Sequence, residues 1–391
     1  MSTDVQGPDQ ERSAIRASAV RGEPARVSLL WITNISAPYR VPLWSALSDR
    51  LDLTVALLAE GAPNRHWKVA LDDVPFRVVH CNSVVVQRND YANQYYLPSR
   101  RLLRSIGGRP AVVLIDGWSS PAHLSALLLA RALRVPVVVS YDSAEPNQRF
   151  RSGPVAAVRR WFLGQAAAVL TSGAGSTAAV RSAGVPHASI VQGFLGADVE
   201  TFARGAALAR SSEPSGPQPG HRYLYVGQLI ERKNVANLIQ AYAKIRNPAD
   251  VLSVVGLGPL HDELLRVAEA VGGAVDFLGH LDQHELISLY GRSHTLVLPS
   301  LEEVWGLVAN EALAAGLNVV VSRCAGVVDE IAGMPGVFVT EPTAAGLCDA
   351  MTESRSSWRG PRPDHPILAR TPDALAQTIA DLVAELVPSA S

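Results

Sequence analysis

Short apolar runs alternate with segments of helical apolar spacing through the first half of the chain. The predicted strands there are 27–33, 53–58, 111–115, 136–140, 167–171 and 189–192, and the predicted helices include 42–50 and 123–133. Buried strands that alternate with helices form a parallel sheet with helices on both faces. The first half is therefore predicted to be one α/β layer structure.

A second series of the same kind begins at residue 223. Its predicted strands are 223–226, 252–255, 275–278, 295–298, 318–321 and 337–340. The intervening segment, especially 211–220, is rich in Ser, Pro and Gly, which is typical of a linker. The pattern predicts two doubly wound, Rossmann-like α/β domains at 26–203 and 221–371, joined by a linker at 204–220. A cleft between the carboxyl ends of two such sheets is where ligands usually bind.

The two ends of the chain differ in character. Residues 372–391 include helical apolar spacing and predict a helix that packs back on the N-terminal domain. Residues 1–25 are polar and lack the apolar run of a signal peptide, so we expect a disordered leader. No apolar stretch reaches the ~18 residues of a candidate spanning helix.

Composition narrows the function classes. The chain has 391 residues, 48% of them apolar, and a formal net charge of −1. Two domains with sizeable cores fit this length. Without a basic stripe, a nucleic-acid partner is disfavoured. The three cysteines stand far apart with no Cys-x-x-Cys pair, so we expect neither disulfides nor a zinc site, and a cytoplasmic location.

The segment 298–316 contains the most informative chemistry. It is predicted to be a strand end, a loop that carries Glu303, and a helix that begins near Trp305 or Gly306. Glu311 falls in the second turn of that helix. A loop carboxylate at the carboxyl end of a parallel strand is a candidate site residue.

The start of this helix also suits a phosphate. The free N–H groups of Gly306, Leu307 and Val308, together with the helix dipole, form a natural anion seat. An alternative interpretation is that Glu303 only caps the helix and that Glu311 is solvated.

This segment resembles the Glu-x7-Glu signature of retaining glycosyltransferases with the GT-B fold, in the fourth family (group 1 glycosyltransferases). The resemblance includes the glycine three residues after the first glutamate and the sequence Glu-Ala-Leu-Ala-Ala-Gly. Segments 196–202, 225–234, 254–259 and 277–281 resemble the family in order and spacing. The resemblance implies two Rossmann-like domains that face a central cleft, with the acceptor on the first and the nucleotide sugar on the second.

The resemblance also implies roles for individual residues. Lys233 would neutralise the diphosphate, Glu311 would accept hydrogen bonds from the ribose hydroxyls, and Glu303 would address hydroxyls of the transferred sugar. The other donor-site candidates are Gly227, Gln228, Arg232, Gly256, Gly279, His280, Leu281, Val304, Trp305, Gly306, Leu307 and Val308. Gln228 stands where the family usually has arginine, and an amide supplies no charge. Arg232 is a candidate substitute.

In the first half, Asp116 and Asp142 stand where many relatives have histidines. A carboxylate there is expected to orient a sugar hydroxyl or the acceptor, and Asp116 joins Glu303 and Lys233 as a catalytic candidate. The alternative is that each aspartate caps the next helix. The remaining acceptor-side candidates are Ser36, Tyr39, Arg40 and Trp118.

Two basic–aromatic stretches, 95–104 and 149–162, remain outside this scheme. Arginines among aromatic residues suit an anionic acceptor or a membrane surface. The alternative is a solvated helix face.

Together these observations predict a retaining, metal-independent glycosyltransferase. The donor is a UDP-, GDP- or TDP-linked sugar, which is left undecided, and no cofactor is expected. The preferred acceptor is a small natural product or a saccharide. Two alternatives stay open: a nucleotide-sugar epimerase or pseudo-glycosyltransferase on the same fold, and a weakly active partner subunit of another transferase. A dinucleotide-binding dehydrogenase is disfavoured because His261 stands where the third glycine of Gly-x-Gly-x-x-Gly is needed.

Overall fold

The computed structural model describes residues 26–61, 69–87, 94–144, 150, 152–212, 220–272 and 274–387. The leader predicted at 1–25 lies outside these residues, as does the Ser- and Pro-rich segment 213–219 of the predicted linker. The described chain forms two parallel α/β lobes, one after the other. The prediction of two doubly wound sheets is therefore confirmed.

The first lobe is built on a parallel sheet with strand order β3-β2-β1-β6-β7-β8-β9. Its strands are β1 Ser28–Thr33, β2 Asp52–Leu57, β3 Arg77–His80, β6 Val112–Asp116, β7 Val137–Tyr141, β8 Ala168–Thr171 and β9 Ile190–Gln192. Two short strands, β4 Val85–Gln87 and β5 Gln94–Tyr96, form an antiparallel hairpin. The central strands are almost fully buried, because helices cover both faces of the sheet.

The helices of the first lobe divide between the two faces. They are α1 Arg40–Ser48, α2 Arg100–Gly107, α3 Pro121–Ala132, α4 Gly153–Gly164 and α5 Ala174–Ser182. Helices α2, α3, α4 and α5 bury their apolar sides in one core with the same face of the sheet. Helix α1 covers the opposite face, where Trp44 packs edge-on against Trp31 with ring centroids 6.2 Å apart.

The second lobe has the strand order β12-β11-β10-β13-β14-β15. Its strands are β10 Arg222–Val226, β11 Val251–Val255, β12 Val275–Gly279, β13 Thr295–Leu298, β14 Asn318–Ser322 and β15 Val337–Thr340. Its helices are α6 Val199–Ser211, α7 Val235–Ile245, α8 His261–Ala270, α9 Gln283–Arg292, α10 Leu307–Ala314, α11 Val328–Ile331 and α12 Ala344–Ser357. One core unites α6, α9, α10 and α11, and the other unites α7, α8 and α12.

Helix α6 corrects the predicted division of the chain. It runs through the expected boundary at residue 203, so residues 204–211 are helical and not an irregular linker. Val199, Phe202 and Ala206 lie in the core of the second lobe, and the Phe202 ring packs edge-on against Tyr290 at 5.6 Å. Composition misled the prediction, because the apolar spacing of this helix continues into the Ser-rich segment.

The chain crosses between the lobes twice. After α6 and the second sheet, helix α13 Pro372–Leu386 returns to pack against α1 of the first lobe, burying Leu375, Ile379 and Val383. Thr371 caps this helix by accepting a hydrogen bond of 3.1 Å from the Ala374 N–H, and proline occupies its first position. In the part of the chain that the structure describes, no helix has the length and hydropathy needed to cross a membrane.

Candidate active site

The predicted donor-binding segments follow four strands that are neighbours in the second sheet. The strand order β12-β11-β10-β13 places loops 279–281, 256–258, 227–233 and 299–306 side by side. Because these strands are parallel, all four loops leave from the carboxyl edge of the sheet. Segments far apart in sequence thus converge at one edge.

Glycines let two of these loops approach each other closely. Gly256 has φ +137°, and a Cβ added there would lie 1.8 Å from the carbonyl oxygen of Gly227. The N–H of Gly227 donates to Val255 at 3.0 Å, and the N–H of Gly256 donates to the Gly279 oxygen at 2.7 Å. The loop after β11 therefore supports the loop after β10 through backbone contacts that a side chain would block.

Lys233 and Glu303 meet across the next pair of strands. Lys233 ends a 3-10 turn after β10, and its ammonium group contacts the Glu303 carboxylate on the loop after β13. Both side chains are almost buried, with exposed fractions of 11% and 13%. The interpretation of Glu303 as a helix cap is wrong, since Gly306 is the N-cap residue and no side chain caps the helix.

Two hydrogen bonds hold these loops together. The Leu301 N–H donates to the Arg232 oxygen at 2.8 Å, and Arg232 Nη1 donates to the Glu302 oxygen at 3.2 Å. Arg232 thus lies beside the loop of Glu303, at the same edge as Lys233. The backbone oxygen of Gln228 accepts a hydrogen bond of 2.8 Å from the Tyr225 hydroxyl.

Helix α10 begins at Leu307, one or two residues later than expected, because Gly306 adopts a left-handed conformation with φ +106°. A Cβ at Gly306 would lie 2.7 Å from Leu298 Cδ2, so the turn requires glycine. The N–H groups of Gly306, Leu307 and Val308 have no acceptor among the described residues. They form an open donor set at a helix N-terminus, which suits a phosphate.

Glu311 lies one turn into this helix and is partly buried. Tyr290 on α9 donates a hydrogen bond of 2.9 Å to Glu311 Oε2. Burial raises the pKa of Glu311 to about 7, and the hydrogen bond from Tyr290 opposes that shift. The interpretation of Glu311 as a solvated residue is therefore wrong. Sequence reasoning missed Tyr290, because an aromatic residue at helical spacing indicates a core position.

The remaining donor-site candidates lie around this group. Val304 and His280 are exposed, whereas Leu281 is half-buried against the core of the second lobe. Trp305 is buried at the junction of the lobes, where a Cβ on Gly173 would lie 3.0 Å from its ring.

The first lobe carries a charged cluster at the carboxyl edge of its own sheet. Asp116 at the end of β6 pairs with Arg40 at 2.6 Å and accepts a hydrogen bond of 2.8 Å from Thr33. It is not the cap of α3, whose N-cap residue is Ser120. Arg40 is buried and lies over the rings of Tyr39 and Trp31, at 5.6 and 5.7 Å.

Asp142, at the end of neighbouring β7, belongs to the same cluster. Burial and then repulsion from Asp116 raise the pKa of Asp142 to about 6, while Arg40 opposes the shift. Ser36, in the loop that precedes Arg40, is also buried. Trp118 is half-buried beneath the guanidinium of Arg159, at 5.8 Å.

Sequence reasoning missed His123 on α3. Its ring nitrogens are buried without a hydrogen-bond partner among the described residues. Burial lowers the pKa of His123 to about 4, partly offset by Asp116. Its helical spacing resembles that of a core residue, so the pattern alone gives no signal.

The two lobes meet beside these groups. Glu330 at the start of α11 accepts a hydrogen bond of 2.9 Å from the Ala174 N–H, the first residue of α5. Arg370 holds the same carboxylate at 3.2 Å. The loop that carries Glu303 lies at the same junction, because Trp305 of this loop packs against Gly173 of the first lobe. Among the described residues, no group of three or more His, Cys, Asp or Glu side chains is placed to hold a metal ion.

Comparison with known families agrees with this geometry. Residues 213–356 match the family described as glycosyl transferases group 1, and residues 37–192 match the glycosyl transferase 4-like domain. Glycogen synthase of Mycobacterium tuberculosis is 32% identical over 257 residues, which cover 62% of this chain and 59% of that protein. D-inositol 3-phosphate glycosyltransferase of Frankia alni is 31% identical over 171 residues, covering 40% of this chain and 42% of that protein. The chain thus spans less than two thirds of the length of each of these relatives.

Solved structures resemble the whole fold. HepE of Anabaena in complex with UDP covers 92% of this chain and 97% of its own, with a TM-score of 0.66 at 18% identity. Sucrose-phosphate synthase of Thermosynechococcus elongatus covers 93% and 95%, with a TM-score of 0.61 at 18% identity. At such identity these likenesses establish the fold, which is the GT-B arrangement of two parallel-sheet lobes. With both lobes matched by the family descriptions, the chain belongs to the group 1 glycosyltransferases.

Proposed function

We propose that this protein is a retaining glycosyltransferase that moves a sugar from a nucleotide diphosphate sugar to a hydroxyl acceptor. The observation that carries the proposal is the contact between Lys233 and Glu303 beside the open amides of Gly306 to Val308. One sheet edge thus provides a cation and a helix N-terminus that suit the diphosphate of the donor, and a carboxylate that suits its sugar hydroxyls.

The donor would be held mainly by charge and backbone. Lys233 and the amides at the start of α10 would bind the diphosphate, and Glu303 would accept hydrogen bonds from sugar hydroxyls. Glu311 would accept from the ribose hydroxyls, most strongly in its ionised form. The solved relative with bound UDP supports a uridine nucleotide as the first donor to test.

In the transfer step, the bond between the anomeric carbon and the diphosphate oxygen breaks while the acceptor oxygen bonds to that carbon on the same face. The acceptor proton passes to an oxygen of the leaving phosphate. The protein's contribution is to stabilise the negative charge that grows on the diphosphate, through Lys233 and the helix amides. No step requires a metal ion.

The acceptor would bind at the cluster of Arg40, Asp116 and Asp142 in the first lobe. This cluster lies at the carboxyl edge of the first sheet, after β6 and β7. Its carboxylates suit hydroxyl groups of a small natural product or a saccharide. The ion pair with Arg40 and the hydrogen bond from Thr33 fix the orientation of Asp116.

A thermal-shift panel with UDP-, GDP-, ADP- and TDP-sugars tests the donor, and product analysis with the best donor tests the reaction. We expect one nucleotide to raise the melting temperature strongly at modest excess. Conversion of that donor without an acceptor would favour an epimerase. Tight binding without turnover, with any acceptor tried, would favour a partner subunit. No stabilisation by any nucleotide sugar would contradict the proposal.

A further inference from the structure

The outward sides of α2, α3 and α4 in the first lobe expose large apolar side chains. Their exposed fractions run from 36% for Leu124 to 50% for Val158. The residues are Leu103 on α2, Leu124 and Leu128 on α3, and Val155, Val158 and Trp161 on α4. Spacings of three and four residues place the exposed side chains of α3 in one stripe and those of α4 in another.

The exposed sides of the three helices face the same way. Helices α2, α3 and α4 bury their opposite sides in a single core, against the same face of the first sheet. The β4–β5 hairpin extends this surface, because the Tyr96 N–H donates to Ser120 at the start of α3 at 3.3 Å. Val84 and Val86 of the hairpin segment are 64% and 48% exposed. We call the exposed sides of these helices and the hairpin the apolar–basic face.

The same helices carry positive charge only. Helix α2 has three arginines, α3 has one and α4 has two, and none of the three helices contains Asp or Glu. Arg159 is buried, and the other five arginines are exposed and form no ion pair with an acidic side chain among the described residues. Arg101 and Arg131 bond only backbone oxygens there, so their charge is not neutralised. The chain as a whole is nearly neutral, with 35 basic and 36 acidic residues.

We propose that the apolar–basic face docks on a membrane surface that contains anionic lipid. Exposed aliphatic side chains and Trp161 would enter the headgroup boundary, and the arginines would contact lipid phosphates. A second copy of the chain is a poor occupant, because a symmetric contact would bring arginine against arginine. Nucleic acid is also a poor occupant, since leucine and valine do not stack on bases.

The apolar–basic face lies close to the loop of Asp116, so docking on a membrane would place the cleft near the lipid surface. Helix α3 starts directly after the β6 loop of Asp116, and the hairpin lies at its first turn. The face therefore reaches the rim of the cleft on the acceptor side. This inference concerns where the protein acts, and it does not rest on the proposed reaction.

Vesicle sedimentation with the full chain and no nucleotide tests the proposal. We expect binding to vesicles of phosphatidylglycerol and phosphatidylcholine, little binding to phosphatidylcholine alone, and release at about 0.5 M salt. Trp161 fluorescence should shift to the blue on binding, and Trp161→Phe should remove that shift. Equal weak sedimentation with both kinds of vesicle would overturn the proposal.

Single substitutions test whether vesicle binding depends on the apolar–basic face or is nonspecific. Val158→Asp and Arg160→Glu should each lower partitioning at least about tenfold. The matched controls are Leu208→Asp, which is 67% exposed on α6, and Arg266→Glu on α8, and both should bind like the parent. Melting temperature and nucleotide binding confirm folding. A dimer in gel filtration that Val158→Asp dissociates, without vesicle binding by the parent, would also overturn it.

Discussion

The Tyr290 hydroxyl donates a hydrogen bond of 2.9 Å to the Glu311 carboxylate. Tyr290 is fully buried between α6 and α10, where Phe202 packs against its ring. The carboxylate that we assign to the ribose is thus oriented by a residue that would not contact the nucleotide. The same hydrogen bond limits the rise in the pKa of Glu311, because it favours the ionised form of the carboxylate.

We expect Tyr290→Phe to raise the KM for the donor about tenfold, since a hydrogen bond to a charged group contributes about 1.5 kcal/mol. The rise in KM should be larger at pH 7 than at pH 9, because the pKa of Glu311 rises further when the Tyr290 hydroxyl is removed. Tyr242→Phe is the control, since that hydroxyl bonds the Asp250 oxygen at 2.7 Å, away from the site. A pH-independent loss would indicate a purely structural role for Tyr290.

Glu311→Gln should change the pH dependence of stability. Burial raises the pKa of Glu311 from its ordinary value of 4.5 to about 7. As pH rises through this window, the unfolded chain loses a proton that the folded chain retains, so the folded state loses stability, up to roughly 3 kcal/mol above pH 7. The glutamine variant should be more stable than the parent at pH 8 and similar to it near pH 4.5. Urea unfolding at both pH values measures the difference, and an equal difference at both would contradict the shift.

Lys233→Met should lower kcat/KM by a factor on the order of 100, as expected for the loss of one preorganised cation. The variant also removes the Lys233 contact of the almost buried Glu303, which is expected to cost about 3 kcal/mol of stability. The double variant with Glu303→Gln should recover that stability, whereas its kcat/KM should stay at least as low as that of Lys233→Met. Lys244→Met, at an exposed position on α7, is the matched control. Undiminished turnover in Lys233→Met would remove this residue from the mechanism.

Two glycines with positive φ allow a paired test of the loop contact. Gly256→Ala would place a methyl group 1.8 Å from the Gly227 oxygen, whereas Gly272, at φ +61°, has open space around the added atom. We expect Gly272→Ala to cost about 1 kcal/mol from backbone strain alone. Gly256→Ala should cost at least about 2 kcal/mol more and weaken nucleotide binding. Similar melting temperatures for the two variants would show that the loops can separate freely.

Asp116→Asn should destabilise the first lobe by about 3 kcal/mol, because Arg40 would remain buried without its carboxylate partner. The pKa of Asp142 should fall below 6, since one source of repulsion is removed. The acidic limb of the activity profile should therefore move to lower pH if Asp142 acts in its ionised form. Asp52→Asn is the control, because its pair with Arg77 is exposed and contributes little. Equal stability losses in the two variants would contradict this account.

The sequence was informative where a residue's role depends on local pattern. Short apolar runs and period-3.6 spacing located most strands of both sheets, though not β3, and the loop of Glu303 followed from its place after a buried strand. Lys233 and Glu303 could be assigned together because the family spacing relates them. Their contact depends on β10 and β13 being neighbours, which the strand order shows and the pattern does not.

The sequence pattern did not predict which residues from distant parts of the chain contact each other. Arg40 and Asp116 were both candidates, but their ion pair requires β1 and β6 to lie side by side, with Ile32 opposite Ile115. Tyr290 and His123 were hidden because buried polar residues on helices share the spacing of core residues. The boundary at 203 failed for another reason. Asp198 caps α6 by accepting from the Thr201 N–H at 3.2 Å, and that start signal outweighs the Ser-rich composition downstream.

The two passages of the chain between the lobes lie against each other. Arg370, on the returning passage, stacks over the ring of Phe194 on the outgoing one at 5.1 Å, and a Cβ on Gly196 would lie 3.4 Å from the Arg370 oxygen. Two adjacent connections constrain the relative motion of the lobes to one axis more than a single connection would. We therefore expect any opening of the cleft to follow a swing about the line through these two passages.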